Sequence, residues 1–165
     1  MKKKLIFILI MIILILQYFC FFTKTFAVNQ TISQDIENID SNTYPVEMSD
    51  YILEYFEENN IELKDVRFYN EYNYGSYLLY RGIPVFIDSR ADLYSPEFNS
   101  GVNVFEDSES VGSFEMDIDE FVEKYNITHI ILSNQSQLNK VLKKIEGTKY
   151  KLVKEDENFS FYKIE

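Results

Sequence analysis

The sequence has little of the chemistry on which metal and catalytic sites usually depend. Its 165 residues include one cysteine, one histidine and no tryptophan, with only five glycines and three prolines. Cys20 has no second cysteine with which to form a disulfide, and His129 lies in an apolar run, which leaves no credible Cys/His or Ser/His/Asp set. No glycine-rich dinucleotide or phosphate motif occurs. The sequence therefore predicts no metal site and no cofactor.

Basic residues are also scarce. The chain carries 27 acidic against 16 basic residues, a formal net charge of −11. Residues 1–27 hold four of the lysines and no acid, so the remainder has twelve basic and 27 acidic residues and a net charge of −15. Such a surface repels phosphate backbones. We therefore expect no nucleic-acid partner.

A long apolar run occurs near the N-terminus. Lys2, Lys3 and Lys4 precede eighteen uncharged and almost wholly apolar residues, 5–22. At about 1.5 Å per residue this run forms a helix of roughly 27 Å, close to the ~30 Å of a bilayer core. Lysines ahead of the run favour an N-terminus inside the cell. We expect a single-pass signal-anchor in the cell membrane, with the rest extracytoplasmic. The alternative is a secreted protein, cleaved near Ala27.

The composition divides the chain into three parts. Residues 1–27 form the membrane anchor or signal peptide, residues 28–43 are polar and typical of a linker, and residues 44–165 have the length of one independently folding domain. Helical spacing predicts a first helix near residues 45–59 and later ones at 76–80, 118–125 and 138–145. Strand-like runs occupy residues 66–69, 84–88, 128–132, 150–154 and 159–164.

This alternation predicts an α/β fold. We expect a small two-layer or three-layer structure with a mostly parallel sheet, an antiparallel C-terminal hairpin and one preceding membrane helix. Residues 94–116 are rich in serine, glycine and acid and are predicted to form a surface loop, either a binding element or a disordered segment. Four apolar residues could anchor this loop: Phe98, Val104, Phe105 and Phe114.

Residues 68–94, FYNEYNYGSYLLYRGIPVFIDSRADLY, combine many aromatic residues with alternating charges. They resemble the pattern N-D-Y-x-W-G-G-Y-L-I-W…P-V-F-I-D-G-R-A-D-L-Y, which is found in the C-terminal extracytoplasmic domain of polytopic membrane glycosyltransferase-like proteins. Those proteins are protein mannosyltransferase-like and use polyprenyl-phosphate sugars. The departures are Glu71, Tyr74, Ser76 and Ser89, where the pattern has aspartate, tryptophan, glycine and glycine. The matching residues are Asn70, Tyr72, Gly75, Tyr77, Pro84, Val85, Phe86, Ile87, Asp88, Arg90, Ala91, Asp92, Leu93 and Tyr94.

The resemblance implies a role beside a glycosyltransferase rather than catalysis. The family's catalytic aspartate lies in an early loop between membrane helices, and this chain shows one apolar segment and no such loop. The resemblance therefore implies a module detached from the multi-helix catalytic part, which favours a non-enzymatic role. Its expected partners are the membrane, through residues 5–22, and either a glycan or a polytopic glycosyltransferase-like protein.

Asp88, Arg90 and Asp92 alternate, so on an extended chain their side chains share one face. One interpretation is a polar ligand site at the carboxyl edge of the sheet, with Arg90 binding a phosphate or carboxylate. The other is a structural ion pair, in which Asp88, Asp92 or Glu71 neutralises Arg90 and pins the turn at residues 70–74.

The neighbouring aromatic residues have the same two interpretations. Tyrosines of this segment could form a stacking surface for sugars or part of an aromatic core, and Gly75 permits either an unusual backbone angle or a close approach by Tyr72 or Tyr77. The candidate cluster, as ligand site or structural network, comprises Asn70, Glu71, Tyr72, Tyr74, Gly75, Tyr77, Asp88, Arg90, Asp92 and Tyr94.

Three functions follow from these observations. The first is a membrane-tethered, non-catalytic module that binds a glycan, a lipid-linked sugar or a partner membrane protein. The second is a cell-envelope glycan hydrolase or transferase that uses Glu71, Asp88 or Asp92 as acid or base. The third is a truncated relative with a purely structural role. Raised carboxyl pKa values in one concave pocket would favour the enzyme, whereas fully paired charges would favour the module.

Overall fold

The computed structural model describes residues 11, 15–20, 39–145 and 147–165. The chain divides into two compact units, Met1–Ile39 and Asp40–Glu165. In the first unit, residues 11 and 15–20 are helical. Most of the predicted membrane segment, most of the linker and the cleavage position at Ala27 lie outside the described residues. Of the helices that the structure describes, none combines the length and apolar character needed to cross a membrane.

The second unit contains five helices and four strands in the ranges 40–145 and 147–165. The helices are α1 (Val46–Glu58), α2 (Tyr72–Tyr80), α3 (Val104–Gly112), α4 (Ile118–Tyr125) and α5 (Gln137–Lys144). The strands are β1 (Phe68–Asn70), β2 (His129–Ser133), β3 (Tyr150–Glu155) and β4 (Phe159–Ile164). Short 3-10 turns form at Leu63–Asp65 and Ala91–Tyr94.

The four strands form one mixed sheet in the order β1-β2-β4-β3. β1 runs parallel to β2, whereas β4 is antiparallel to both β2 and β3. The α/β class and the antiparallel C-terminal hairpin are thus confirmed. The prediction of a mostly parallel sheet is wrong, because only β1 and β2 pair in parallel among the described strands.

Residues 84–88, predicted as a buried strand, form no strand. Their backbone is bound instead by the side chain of Asn70. The amide of Phe86 donates to Asn70 Oδ1 at 2.8 Å, and Asn70 Nδ2 donates to the carbonyl of Ile87 at 2.8 Å. The Asn70 side chain thus binds two backbone groups that would otherwise pair with a neighbouring strand. Residues 84–88 can therefore lie against the end of β1 without joining the sheet.

Helices cover both faces of the sheet, because successive strand residues point to opposite sides. Phe68, Ile131 and Phe161 pack with α1 and α2 in one buried cluster. Tyr69, Ile130 and Leu132 belong to a second cluster, which takes in α3, α4 and α5. The folded unit therefore has three layers.

The segment 94–116 is not the continuous loop that its composition predicts. It contains α3, in which Asn103 accepts a hydrogen bond from the amide of Glu106 and so caps the first turn. Val111 of this helix is fully buried, and Val104 and Phe105 are half-buried. Phe98 and Phe114 are exposed at 69% and 52%, so they do not anchor the segment.

β3 forms one edge of the sheet. Its pairing with β4 is irregular between Leu152 and Lys154, where the register shifts. Lys151, Lys154 and Glu155 on this strand are exposed. The edge strand is therefore both bulged and charged.

Candidate functional site

The carboxyl ends of β1 and β2 lie side by side, because these two strands are parallel neighbours. A helix starts shortly after each strand: α2 begins at Tyr72 and α5 at Gln137. The buried side chains of α2 belong to the cluster on one face of the sheet and those of α5 to the cluster on the other. In open α/β sheets, ligands bind in the crevice that forms where successive helices diverge in this way.

A cleft of about 580 Å³ occupies this position. Its walls come from the ends of β1 and β2, the first turns of α2 and α5, and one side of α3. Tyr72 and Phe105 contribute aromatic rings, and Asn73 and Gln137 contribute amides. The cleft thus combines apolar surface with groups that donate and accept hydrogen bonds.

Glu71 lies at the base of the cleft and holds β1, β2 and α2 together. Its Oε2 accepts hydrogen bonds from the hydroxyl of Tyr74 at 2.9 Å and from the amide of Ser133 at 2.8 Å. The same carboxylate forms a capping box with Tyr74 at the start of α2. An anionic group therefore already occupies the positive end of this helix.

Gly75 allows α2 to approach residues 87 and 88 closely. A Cβ atom at this position would lie 2.0 Å from the carbonyl oxygen of Ile87 and 2.9 Å from the Cα of Asp88. The close approach at Gly75 is therefore made by the backbone of residues 87–88 and not by Tyr72 or Tyr77. Because α2 lies this close to residues 87–88, the Asn70 side chain can form hydrogen bonds with the backbone of residues 86 and 87.

Asp88 and Arg90 form an ion pair beside this contact. The fully buried Asp88 carboxylate accepts hydrogen bonds from Arg90 Nε at 3.0 Å, from the Arg90 backbone amide at 2.9 Å and from Arg90 Nη2. These bonds hold the pKa of Asp88 below its ordinary value and raise the pKa of Arg90. Burial and the Asp88 charge raise the pKa of the nearby Tyr94 hydroxyl.

Asp92, one of the three carboxylates expected to neutralise Arg90, forms no ion pair with it among the described residues. The extended alternation predicted for residues 88–92 stops at Arg90, because Ala91–Tyr94 is a 3-10 turn. Asp92 is exposed on this turn. Among the ion pairs of the described residues, Arg90 pairs with Asp88.

The candidate tyrosines do not form one stacking surface. Tyr74 and Tyr77 are buried, at 3% and 7% exposure, and their hydroxyls bond the carbonyl of Ile131 and the guanidinium of Arg81. Tyr72 lines the cleft. Its hydroxyl donates to the carbonyl of Ser89 at 3.2 Å, and its ring meets that of Phe105 edge to face at 5.5 Å.

Phe105 lines the cleft although it was expected only to anchor a loop. Glu109 and Gln137 also line it, and neither belonged to the candidate cluster. Their positions depend on α3 and α5 meeting at the carboxyl ends of β1 and β2. Little in the sequence indicates α3, because this helix has few apolar residues and lies in a polar stretch.

Raised carboxyl pKa values, which would indicate a general acid, are not found in the described residues. The carboxyl groups whose pKa values shift there are all lowered by hydrogen bonds: Asp40, Asp88, Glu97 and Asp119. Nor does this part of the chain gather three or more His, Cys, Asp or Glu side chains in an arrangement that could hold a metal ion.

His129 lies in the core and away from the cleft. Its ring stacks on Phe68 and Phe161, and burial together with the charge of Lys163 lowers its pKa to about 4. Its Nε2 is the one buried side-chain polar atom without a hydrogen-bond partner in the described ranges. Ser133, at the cleft end of β2, lies four positions after His129, or roughly 13 Å away at the rise of a strand.

Comparison of the chain with protein-family models, curated proteins and solved structures finds no match.

Proposed function

We propose that this chain is a membrane-tethered, extracytoplasmic and non-catalytic module that binds a glycan at the carboxyl ends of β1 and β2. In this proposal residues 5–22 form the tether, and the folded unit is related to the tail domains of glycosyltransferase-like proteins. The observation that carries the proposal is the cleft between α2, α3 and α5, at the place where α/β sheets commonly bind ligands.

The charged groups support binding rather than catalysis. Glu71 is engaged by Tyr74 and Ser133, and Asp88 by Arg90. A general acid must hold a proton near neutral pH, which requires a raised carboxyl pKa. Asp88 shows the opposite shift. The charged residues of the motif therefore fit a structural network that shapes the site.

The residues of the cleft support a carbohydrate as the ligand. Aromatic rings with polar edges suit the apolar faces of sugars, and amide groups suit their hydroxyls. Tyr72, Phe105, Asn73 and Gln137 provide both kinds of group. The glycan would be free or carried on a lipid.

The test is binding without turnover by the full-length chain in detergent micelles. Neutral oligosaccharides and a lipid-linked oligosaccharide are offered separately, and both retention and chemical integrity of the ligand are measured. We expect saturable binding with the ligand recovered intact. Cleavage or transfer of the sugar would establish the enzyme instead, and failure to bind any saccharide would refute the glycan ligand.

A parallel experiment separates glycan binding from a protein partner. The full-length chain is crosslinked in native membranes, with Arg90→Ala as the comparison after its fold has been verified by circular dichroism. Capture of a polytopic protein by the wild type alone, without saccharide binding, would replace the glycan with a partner membrane protein. The half-exposed guanidinium of Arg90 would then lie at or near that interface.

A further inference from the structure

We infer that the cleft between α2, α3 and α5 accepts an uncharged, polyhydroxylated sugar residue and rejects a residue that itself carries phosphate or carboxylate. This inference rests on the proposed function and adds the chemical class of the ligand. It also names Tyr72, Phe105 and Glu109 as the residues that select this class.

The first step is that the aromatic wall is fixed in advance. The Tyr72 ring is held at its hydroxyl by the carbonyl of Ser89 and at its face or edge by Phe105. Both rings are only half-buried, so part of each remains available at the cleft. A ring that is already oriented loses little conformational entropy when a ligand stacks on it.

The second step is the electrostatics of the lining. Glu71 and Glu109 both line the cleft, and among the described residues that line it there is no lysine, arginine or histidine. A phosphate or carboxylate entering this space would meet two like charges without a countercharge. Sugar hydroxyls can donate to these carboxylates and both donate to and accept from the amides of Asn73 and Gln137.

The helix N-termini do not reverse this preference. Glu71 already caps α2, so that helix offers its positive end to an internal carboxylate. The start of α5 would by itself attract an anion, since Ser136 makes no side-chain cap there. The two glutamates carry two negative charges against about +0.5 from each of the two helix starts, so the lining keeps a net negative charge.

The experiment measures the affinity of the full-length chain in detergent micelles by titration calorimetry. The probes are methyl α-mannoside and methyl β-glucoside as neutral sugars, with mannose 1-phosphate, glucuronic acid and inorganic phosphate as anions. We expect the neutral glycosides to bind at least tenfold more tightly than mannose 1-phosphate. Equal or tighter binding of the phosphate would overturn the inference.

Substitutions at Tyr72 and Glu109 test the position of the site, and a substitution at Tyr80 is the control. Tyr72→Ala should weaken neutral-sugar binding at least tenfold, whereas Tyr72→Phe, which keeps the ring but loses its hydrogen bond to Ser89, should weaken it by less than Tyr72→Ala does. Glu109→Lys, on an exposed position, should raise the affinity for mannose 1-phosphate at least tenfold. Tyr80→Ala removes a tyrosine that is 63% exposed and does not line the cleft, so it should change nothing.

The outcomes separate this inference from the proposed function. If a saccharide binds but neither Tyr72→Ala nor Glu109→Lys changes its affinity, the inferred site is wrong and the glycan-binding module stands. If no saccharide binds to the wild type, the proposed function fails and the inference fails with it. If Tyr72→Ala does not fold, two measurements still test the inference. They are the effect of Glu109→Lys on mannose 1-phosphate binding and the affinity of the wild type for neutral compared with phosphorylated sugar.

Discussion

Replacing Gly75 by alanine tests whether the contact between α2 and residues 87–88 organises the candidate site. The added Cβ would lie 2.0 Å from the Ile87 carbonyl oxygen and 2.8 Å from Asn70 Nδ2. Comfortable carbon–oxygen contacts are about 3.3–3.6 Å, so the two segments must separate by more than about 1 Å. The contacts with Ile87 and Asp88 are with backbone atoms, so no flexible side chain can yield there, and only the Asn70 amide is a side-chain contact.

The expected cost follows from what this separation breaks. Overpacking costs about 1–3 kcal/mol, and a buried hydrogen bond lost between Asn70 and residues 86–87 costs about 1–3 kcal/mol more. Alanine recovers about 1 kcal/mol of helix propensity over glycine. We therefore expect Gly75→Ala to lower the free energy of unfolding by about 3 kcal/mol, a large share of the stability of a small domain.

Urea unfolding followed by circular dichroism measures this loss. At a slope of about 1.5 kcal/mol per molar urea, the midpoint should fall by about 2 M. Gly112→Ala is the matched control, because Gly112 ends α3 and a Cβ there would contact nothing within 4 Å. This control should be neutral or slightly stabilising. A Gly75→Ala midpoint equal to or above that of the wild type would refute the close contact.

Three further predictions concern charged and titratable groups. The folded-state pKa of His129, about 4, lies below the ordinary 6.5, so protonation favours the unfolded chain. The contribution of His129 to stability should be complete above about pH 6.5 and fall by about 3 kcal/mol as the pH approaches 4, and His129→Phe should make the urea midpoint vary less between pH 7 and 4.5. Glu71→Ala should cost about 2–3 kcal/mol and accelerate hydrogen exchange at the Ser133 amide, which loses its acceptor. Asp88→Asn should lower the unfolding free energy by about 1–2 kcal/mol, whereas Asp92→Asn, on an exposed turn, should stay within about 0.5 kcal/mol.

Each of these predictions has a clear contrary result. A pH profile that is as steep for His129→Phe as for the wild type would assign the acid sensitivity to other groups. Unchanged exchange at Ser133 in Glu71→Ala would show that its carboxylate does not hold β2. An equal loss for Asp88→Asn and Asp92→Asn would contradict the assignment of the ion pair to Asp88.

Elements with their own repeating pattern could be predicted from the sequence. The helical spacing of apolar residues in Ile118–Tyr125 and Gln137–Lys144 indicates the face that each helix buries. The strand-like runs at the C-terminus likewise predict the hairpin of β3 and β4. These elements are decided by residues close together in the chain.

Elements decided by distant contacts could not be predicted. Residues 84–88 have the composition of a buried strand, but the side chain of Asn70 binds their backbone and keeps them out of the sheet. The helix α3 lies in a polar stretch, and its place depends on buried Val111. Neither contact leaves a local pattern.

The candidate site divides in the same way. The pairing of Asp88 with Arg90 was among the expected pairings, since two residues of spacing bring their side chains within reach. The cleft joins Tyr72, Phe105 and Gln137, which are far apart in the chain. Their meeting requires β1 beside β2 and helices on opposite faces, and this topology is set by the whole sheet.

The irregular edge strand β3 has a consequence for self-association. A straight, uncharged edge offers a row of unpaired amides and carbonyls on which the strand of another molecule can grow. Here the register shift between Leu152 and Lys154 bends that row, and Lys151 and Lys154 place positive charge along it. Copies crowded side by side would therefore meet curvature and exposed charged side chains at this edge, which resists intermolecular sheet growth even at high local concentration.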